Sequence, residues 1–238
     1  MTKYSGQPHI LVAIDCIIFG FDGRDLKLLL IKRGFHPEKD RWSLMGGFLQ
    51  ARENLEEAAN RILKQLTGLE GVYMEQLRTF SDPGRDPAER TISVAYYALI
   101  DIEKYQMQIS EEYHAEWFLL NQKPELIFDH DEMVQLAQKQ LRYKASMHPI
   151  LFELLPGRFT IPQLQNLYEG VYNTVFDNRN FTKKILSTGL IIKQAVKDKS
   201  GSKKGAFYYK LDRKKYKNKQ DAFLRIVPKH EKADPYST

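Results

Sequence analysis

Two apolar runs open the chain, ILVAIDCIIFGF over residues 10–21 and LKLLLIKR over residues 26–33. Their β-rich alternation, with the Asp-Gly turn signal of DGRD between them, predicts a hairpin of two strands. RWSLMGGFLQ (41–50) continues as an extended stretch with a glycine pair. From Asn54 to Thr67 the period changes to helical, with Leu55, Ala58, Ala59, Ile62 and Leu66 at three- and four-residue steps. Asn54 suits the N-cap and Gly68 the stop. VYMEQLRTF (72–80) and RTISVAYYALIDI (90–102) read as strands separated by the turn-rich SDPGRDPAE. AEWFLL (115–120) reads as a short strand, and DEMVQLAQKQLRYKA (131–145) as an amphipathic helix that closes a first module.

Around Pro149 and LPGRF (155–159) the pattern restarts, placing a boundary after residue 155 and giving segments 1–155 and 156–238. TIPQLQNLYEGVY (160–172) and NRNFTKKILSTG (178–189) read as two helices joined by a short turn. Leu164, Leu167, Tyr168 and Val171 are the buried positions of the first, and Phe181, Ile185 and Leu186 those of the second. Thr160 and Asp177 are the candidate N-caps, with Pro162 in a first turn where its missing N–H costs little. LIIKQAV, KDKSGSKKG and AFYYKL then read as strand, basic loop and strand, with Tyr208 and Tyr209 expected to pack or line an edge.

Charge sharpens this division. The net charge of +6 is modest, but residues 157–238 hold 18 Lys and Arg against 7 Asp and Glu, whereas residues 1–156 hold 18 against 23. A basic second module on an acidic first one points to a polyanionic partner for the second. With 42% hydrophobic and 12% aromatic residues the chain is expected to fold throughout. The single cysteine, Cys16, forms no intrachain disulfide and sits in a strand pattern as a structural thiol. No basic-then-apolar leader and no run of ~18 apolar residues is present, so a cytoplasmic protein without membrane contact is expected.

The stretch from Gly47 to Leu69 resembles the Nudix box, G-x5-E-x7-R-E-U-x-E-E-x-G-U with U aliphatic: Gly47, Glu53, Arg61, Leu63, Gly68 and Leu69 fall in register. Residues 8–145 share the resemblance, since RWSLMGGFLQ and PGRDPAERTISVAYY are similar to the flanks of that box in its ADP-ribose-directed branch. It implies an α/β/α sandwich around a mixed sheet and, in active relatives, glutamates that hold Mg²⁺ or Mn²⁺ and activate water. Three of those glutamate positions are here Ile62, Gln65 and Leu66. Hard divalent cations need several charged oxygen ligands, and an aliphatic face supplies none. Glu53, Glu56 and Glu57 remain, the last two a turn or more before the lost positions. The reading is therefore no bound metal, no cofactor and no catalytic residue. A Nudix hydrolase acting on ADP-ribose or a related nucleoside diphosphate derivative is the alternative, and a protein-interaction scaffold a third reading.

The second module gives the chain a different function. FTIPQLQNLYE and DNRNFTKKIL after a degenerate box resemble the Nudix-related transcriptional regulators, whose members pair a Nudix-like sensor with a C-terminal winged helix-turn-helix. The implied fold is α/β + α, a Nudix-like α/β/α sandwich followed by that winged domain. The implied function is a dimeric repressor whose affinity for double-stranded operator DNA changes when a metabolite fills the sensor. The branch most similar is the arabinose-responsive one of the Bacteroides group, which makes a sugar, L-arabinose, the first effector and ADP-ribose the second. For DNA contact the candidates are Asn178, Arg179, Asn180, Thr182, Lys183 and Lys184 on the second helix. Thr160 before the first helix and Lys199, Lys203 and Lys204 on the wing complete the set. Arg and Asn suit base edges, and Lys suits phosphate. For the effector the candidates are Trp42 as a stacking face and Asp15, a carboxylate inside an apolar strand that Lys32 or a sugar hydroxyl would partner. Arg85, Asp86 and Arg90 on a loop-to-strand transition complete them.

Overall fold

The computed structural model describes residues 6–105, 115–147, 150–199 and 204–216. Its first half is a seven-stranded mixed sheet. Strand β1 (Leu11–Phe21) runs antiparallel to β2 (Leu26–Lys32), and Asp22 closes their turn by accepting from the Arg24 and Asp25 backbone N–H groups. On its other side β1 is parallel to β6 (Thr91–Asp101) over its whole length, Leu11 opposite Thr91 and Phe21 opposite Asp101. β5 (Glu75–Phe80) pairs with β6, β3 (Trp42–Ser43) and β7 (Glu116–Leu119) with β2, and β4 (Met45–Phe48) with β1.

The two-residue period of β1 sorts its side chains into two cores. Ile14, Cys16 and Ile18 pack with Ala58, Ala59, Ile62 and Leu63 of α1 (Leu55–Thr67) on one face. Ile17, Phe19 and Phe21 pack with Met133, Val134, Ala137 and Leu141 of α3 (His130–Met147) on the other. Helix α1 begins as expected: the Asn54 side chain accepts from Glu57 N–H while Glu57 accepts from Asn54 N–H, and Gly68 ends the helix at φ +76°. The glycine pair serves close approach. A Cβ on Gly46 would lie 2.5 Å from Asp15 Oδ1, and one on Gly47 would press on Ile62 at 3.0 Å. A short α2 (Ile102–Tyr105) follows β6.

Beyond a 3₁₀ turn at Ile150–Leu154, the strand β8 (Phe159–Thr160) leads into α4 (Ile161–Tyr172) and α5 (Asn178–Ser187). β9 (Ile191–Asp198) and β10 (Ala206–Leu211) form a hairpin to which β8 adds, and α6 (Arg213–Tyr216) follows. This is a helix-turn-helix with a wing. Among the three apolar positions expected to be buried on α5, Phe181 and Ile185 are, but Leu186 is 45% exposed because the next helical step turns it off the core-facing stripe. The core does not divide at residue 155: Leu151, Phe152, Leu154 and Leu155 share one cluster with Leu141 before them and Leu164, Leu167 and Tyr168 after. Gly170 of α4 is so close to β2 that a Cβ there would sit 2.8 Å from Leu26 Cβ.

Candidate effector cavity and DNA-binding surface

A cavity of about 310 Å³ opens over β1, the end of β2 and the first turn of α3. Asp15 lies at its floor, because its strand position faces α3 while its neighbours Ile14 and Cys16 face α1. Ser93 donates to Asp15 Oδ2 at 2.5 Å, Arg85 Nη2 lies 3.7 Å from the same oxygen, and His130 Nε2 lies 3.6 Å from Oδ1. The expected partner Lys32 is not among them: it is exposed on the rim, with its ammonium 5.1 Å above the Trp42 ring. His130 accepts the Leu44 N–H at Nδ1 (3.2 Å), which leaves the proton on Nε2 toward Asp15. Burial holds its pKa below the ordinary 6.5, with Asp15 and Asp129 opposing and Arg85 and Arg33 reinforcing the shift. His130 is a neutral imidazole.

The six effector candidates part company here. Asp15, Lys32, Arg85 and Asp86 line the cavity. Arg85, however, is spent: its Nε and Nη2 donate to Asp129 at 2.8 and 2.7 Å, and its side chain is 4% exposed. Arg90 lies outside the lining and clamps its own loop, donating to the carbonyls of Ser81, Asp82 and Thr91. Trp42 is also outside, packed edge-on against Phe118 with ring centroids 4.7 Å apart. Sequence reasoning missed Arg33, Phe35, Phe128 and His130, all part of the lining. For Phe128 and His130 the available signal was FDHDE, an aromatic, a histidine and three acids at the entry to a predicted helix.

The box helix presents little to a cation. Glu53 accepts two hydrogen bonds from Arg61, at 2.8 and 2.6 Å, and that contact first of all keeps its carboxyl below the usual carboxylate range. Glu57 is consumed by the capping box, and Glu56 faces the buried Tyr96 phenol, whose pKa is raised by burial and then by that carboxylate. Ile62 is buried and Leu66 forms cavity wall. Among the described residues no group of three or more His, Cys, Asp and Glu side chains could hold a metal ion. The residues present do not fit the divalent site that the box implies.

On the second module the N-terminus of α5 is free of the core. Asn178, Arg179, Asn180, Lys183 and Lys184 are exposed and Thr182 is half-buried, while Asp177 caps the helix by accepting from Asn180 N–H at 2.8 Å. Asn178 is partly engaged, since Gln165 Nε2 donates to its Oδ1 at 2.6 Å and to Glu169 Oε1 at 2.9 Å, tying the turn between the helices. Thr160 departs from its expected role at DNA: it is 3% exposed, and its hydroxyl accepts the Gln163 N–H in the cap of α4. Lys199 and Lys204 are exposed at the wing, and Lys203 lies outside the described residues. Lys193 and Lys197 flank Phe207 at 3.7 and 4.5 Å from its centroid, and Arg158 lies 5.1 Å from that of Tyr208, extending the basic face along the hairpin. No helix among the described residues is long and apolar enough to cross a membrane.

Known proteins share both halves. The NUDIX domain profile matches residues 9–137 and that of the NrtR DNA-binding winged helix domain matches residues 151–211. A protein of Acinetobacter baylyi named as an ADPR responsive transcriptional repressor is 32% identical over 231 residues, 95% of this chain and 92% of its own. An ADP-ribose pyrophosphatase of Methanocaldococcus jannaschii is 36% identical over 136 residues, 57% of this chain and 77% of its own. The crystal structure of Shewanella oneidensis NrtR complexed with a 27mer DNA superposes with a TM-score of 0.69 at 28% identity, covering 89% of this chain and 95% of that one. The arabinose expectation finds no support here, both relatives being named for ADP-ribose. The chain belongs to the NrtR family of transcriptional regulators, in which a Nudix domain is joined to a DNA-binding winged helix.

Proposed function

We propose that the protein is a cytoplasmic homodimeric repressor whose α5 and wing hold operator DNA, and whose Nudix cavity binds ADP-ribose and thereby releases it. The observation that carries this reading is the end-to-end likeness to the Acinetobacter baylyi repressor, which spans the sensor and the reader in one alignment. The geometry agrees with it at both ends. The cavity is bipolar, with carboxylate and hydroxyl groups at its floor and Lys32 and Arg33 at its rim, the pattern that suits a ligand combining sugar hydroxyls with a diphosphate. The exposed start of α5 carries Arg and Lys residues where a helix-turn-helix meets base edges and phosphates. Hydrolysis is not part of the proposal, because Glu53 is paired with Arg61, Glu57 is held in the capping box and Glu56 stands beside the Tyr96 phenol.

The test is selection of the full chain against a random duplex library, followed by fluorescence anisotropy of the selected duplex across a salt series, with ADP-ribose, L-arabinose or neither. Binding that falls with salt, and is weakened by ADP-ribose alone, is the expected result. Release by arabinose instead would restore the sugar reading. Turnover of ADP-ribose with Mg²⁺ or Mn²⁺ by the purified chain would favour the hydrolase, and duplex affinity indifferent to salt would end the repressor reading.

A further inference from the structure

We propose that the cavity meets the negative charge of its ligand with the guanidinium of Arg33, and that binding requires no divalent ion. The inference rests on the ADP-ribose reading and states how its diphosphate is held. Phosphate oxygens that enter a partly closed cavity lose water and must find positive charge there. In a metal-holding Nudix site that charge is the cation, which needs several anionic oxygens around it. Here Glu53 is locked by Arg61, Ile62 is pressed on Gly47, and Leu66 turns methyl groups toward the cavity.

Among the described residues three cationic side chains line the cavity. Arg85 already serves Asp129 and Asp15. Lys32 is exposed and leans on Trp42. Arg33 differs from both. Its Cζ lies 4.0 Å from the Phe35 ring centroid and 5.3 Å from that of Phe128, and its Nε donates to the Phe35 carbonyl at 3.2 Å. Among the described residues no carboxylate lies within 4 Å of it and its terminal nitrogens donate to nothing. A planar fork resting against two rings, with both outer nitrogens open, is the geometry that grips a phosphate through paired hydrogen bonds. Phe128 is held at φ +52°, a conformation unfavourable to a bulky residue, and its ring contacts both Arg33 and His130. Partial burial, offset by the more distant Asp86, Asp15 and Glu38, lowers the pKa of Arg33, so its charge is incompletely hydrated before an anion arrives.

Titration calorimetry of the full chain with ADP-ribose, in EDTA and again in excess Mg²⁺, tests this, with adenosine as the uncharged probe. Wild-type affinity is expected to be the same in both buffers. Arg33→Ala should weaken ADP-ribose binding about tenfold to a hundredfold, the range of a lost charge-assisted pair, and leave adenosine binding unchanged. Arg33→Lys, which keeps the charge without the fork, should fall between. Wild-type binding that EDTA abolishes and Mg²⁺ restores, or Arg33→Ala affinity equal to wild type, overturns the assignment of charge recognition to Arg33 while leaving the ADP-ribose reading intact. Absence of ADP-ribose binding by the wild type in either buffer overturns both.

Discussion

Replacing Asp129 by Asn deletes the charge that neutralises Arg85 while keeping the side chain's size. In the folded chain two Arg85 nitrogens contact Asp129 at 2.8 and 2.7 Å, and the only other carboxylate within 4 Å of Arg85 among the described residues is Asp15, at 3.7 Å. Removing one member of a buried ion pair costs ~3–5 kcal/mol, because the other is left uncompensated in a poorly solvated place. The remaining Asp15 and the 17% exposure of the Asp129 side chain bring the expected loss to the low end, about 3 kcal/mol. For a chain of this length each kcal/mol corresponds to ~2–4 °C, so the melting temperature should fall by roughly 6–12 °C. Urea unfolding followed by tryptophan fluorescence measures it directly. The companion variant Arg85→Met in the Asp129→Asn background should recover most of the loss, since an apolar replacement of the whole pair is close to neutral. A loss under about 1 kcal/mol for Asp129→Asn, or a double variant that merely adds the two single losses, would refute the view that Arg85 is a strut and return it to the ligand.

Three further outcomes follow from the same geometry. Thr160→Ala should lower stability by about 1 kcal/mol through loss of the α4 cap without altering which bases the operator requires, a result read by denaturation and by anisotropy on variant duplexes. His130 makes stability depend on pH: its folded pKa lies below 6.5, so in acid the unfolded chain takes up a proton that the folded chain refuses. Its contribution is complete above pH 6.5 and declines as pH falls below that value, by up to ~1.4 kcal/mol per unit, and His130→Gln should flatten the measured slope by that amount. Arg142→Met removes the 2.8 Å hydrogen bond from α3 to the Val171 carbonyl of α4; ADP-ribose affinity should hold while the ligand's effect on duplex affinity shrinks by about 2- to 30-fold. An unchanged ligand effect would show that α3 does not carry the signal.

Local chemistry was legible in the sequence. The period of β1, the Asn54 cap and Gly68 stop of α1, and the two helices and hairpin of the second module are all set by residues within a few positions of one another. What was not legible depends on long-range pairing. Nothing near Arg85 announces Asp129, which is 44 residues away, and nothing near Asp15 announces Ser93 or His130. Trp42 was read as a binding face because it precedes the glycine pair, but β3 turns it toward Phe118 on β7. The choice of a sugar as first effector rested instead on resemblance to one branch of the family, and the relatives, named for ADP-ribose, lend it no support. Loss of the metal ligands put the diphosphate second without excluding it, and a guanidinium, as proposed for Arg33, can supply the charge that a metal would bring.

The helix α3 joins the two sites and limits how they can communicate. Its first residue, His130, closes the cavity floor, and Asp129 just before it holds Arg85. Twelve residues on, Arg142 donates to the Val171 carbonyl of α4 and its own carbonyl accepts the Tyr172 hydroxyl at 3.0 Å. Between these ends the apolar core is continuous from β1 through α3 into Leu164, Leu167 and Tyr168 of α4. Swinging the reading head away from the sensor would return these side chains to water at ~1.5–3 kcal/mol each. A ligand that prefers one state a hundredfold supplies ~2.7 kcal/mol, about the burial of one such residue. An effector therefore cannot detach the head within one chain. In the proposed homodimer it would act by displacing α3 and the winged helix together by a small amount, changing the relation between two heads on one operator, where successive half-sites one DNA turn apart admit little change in spacing.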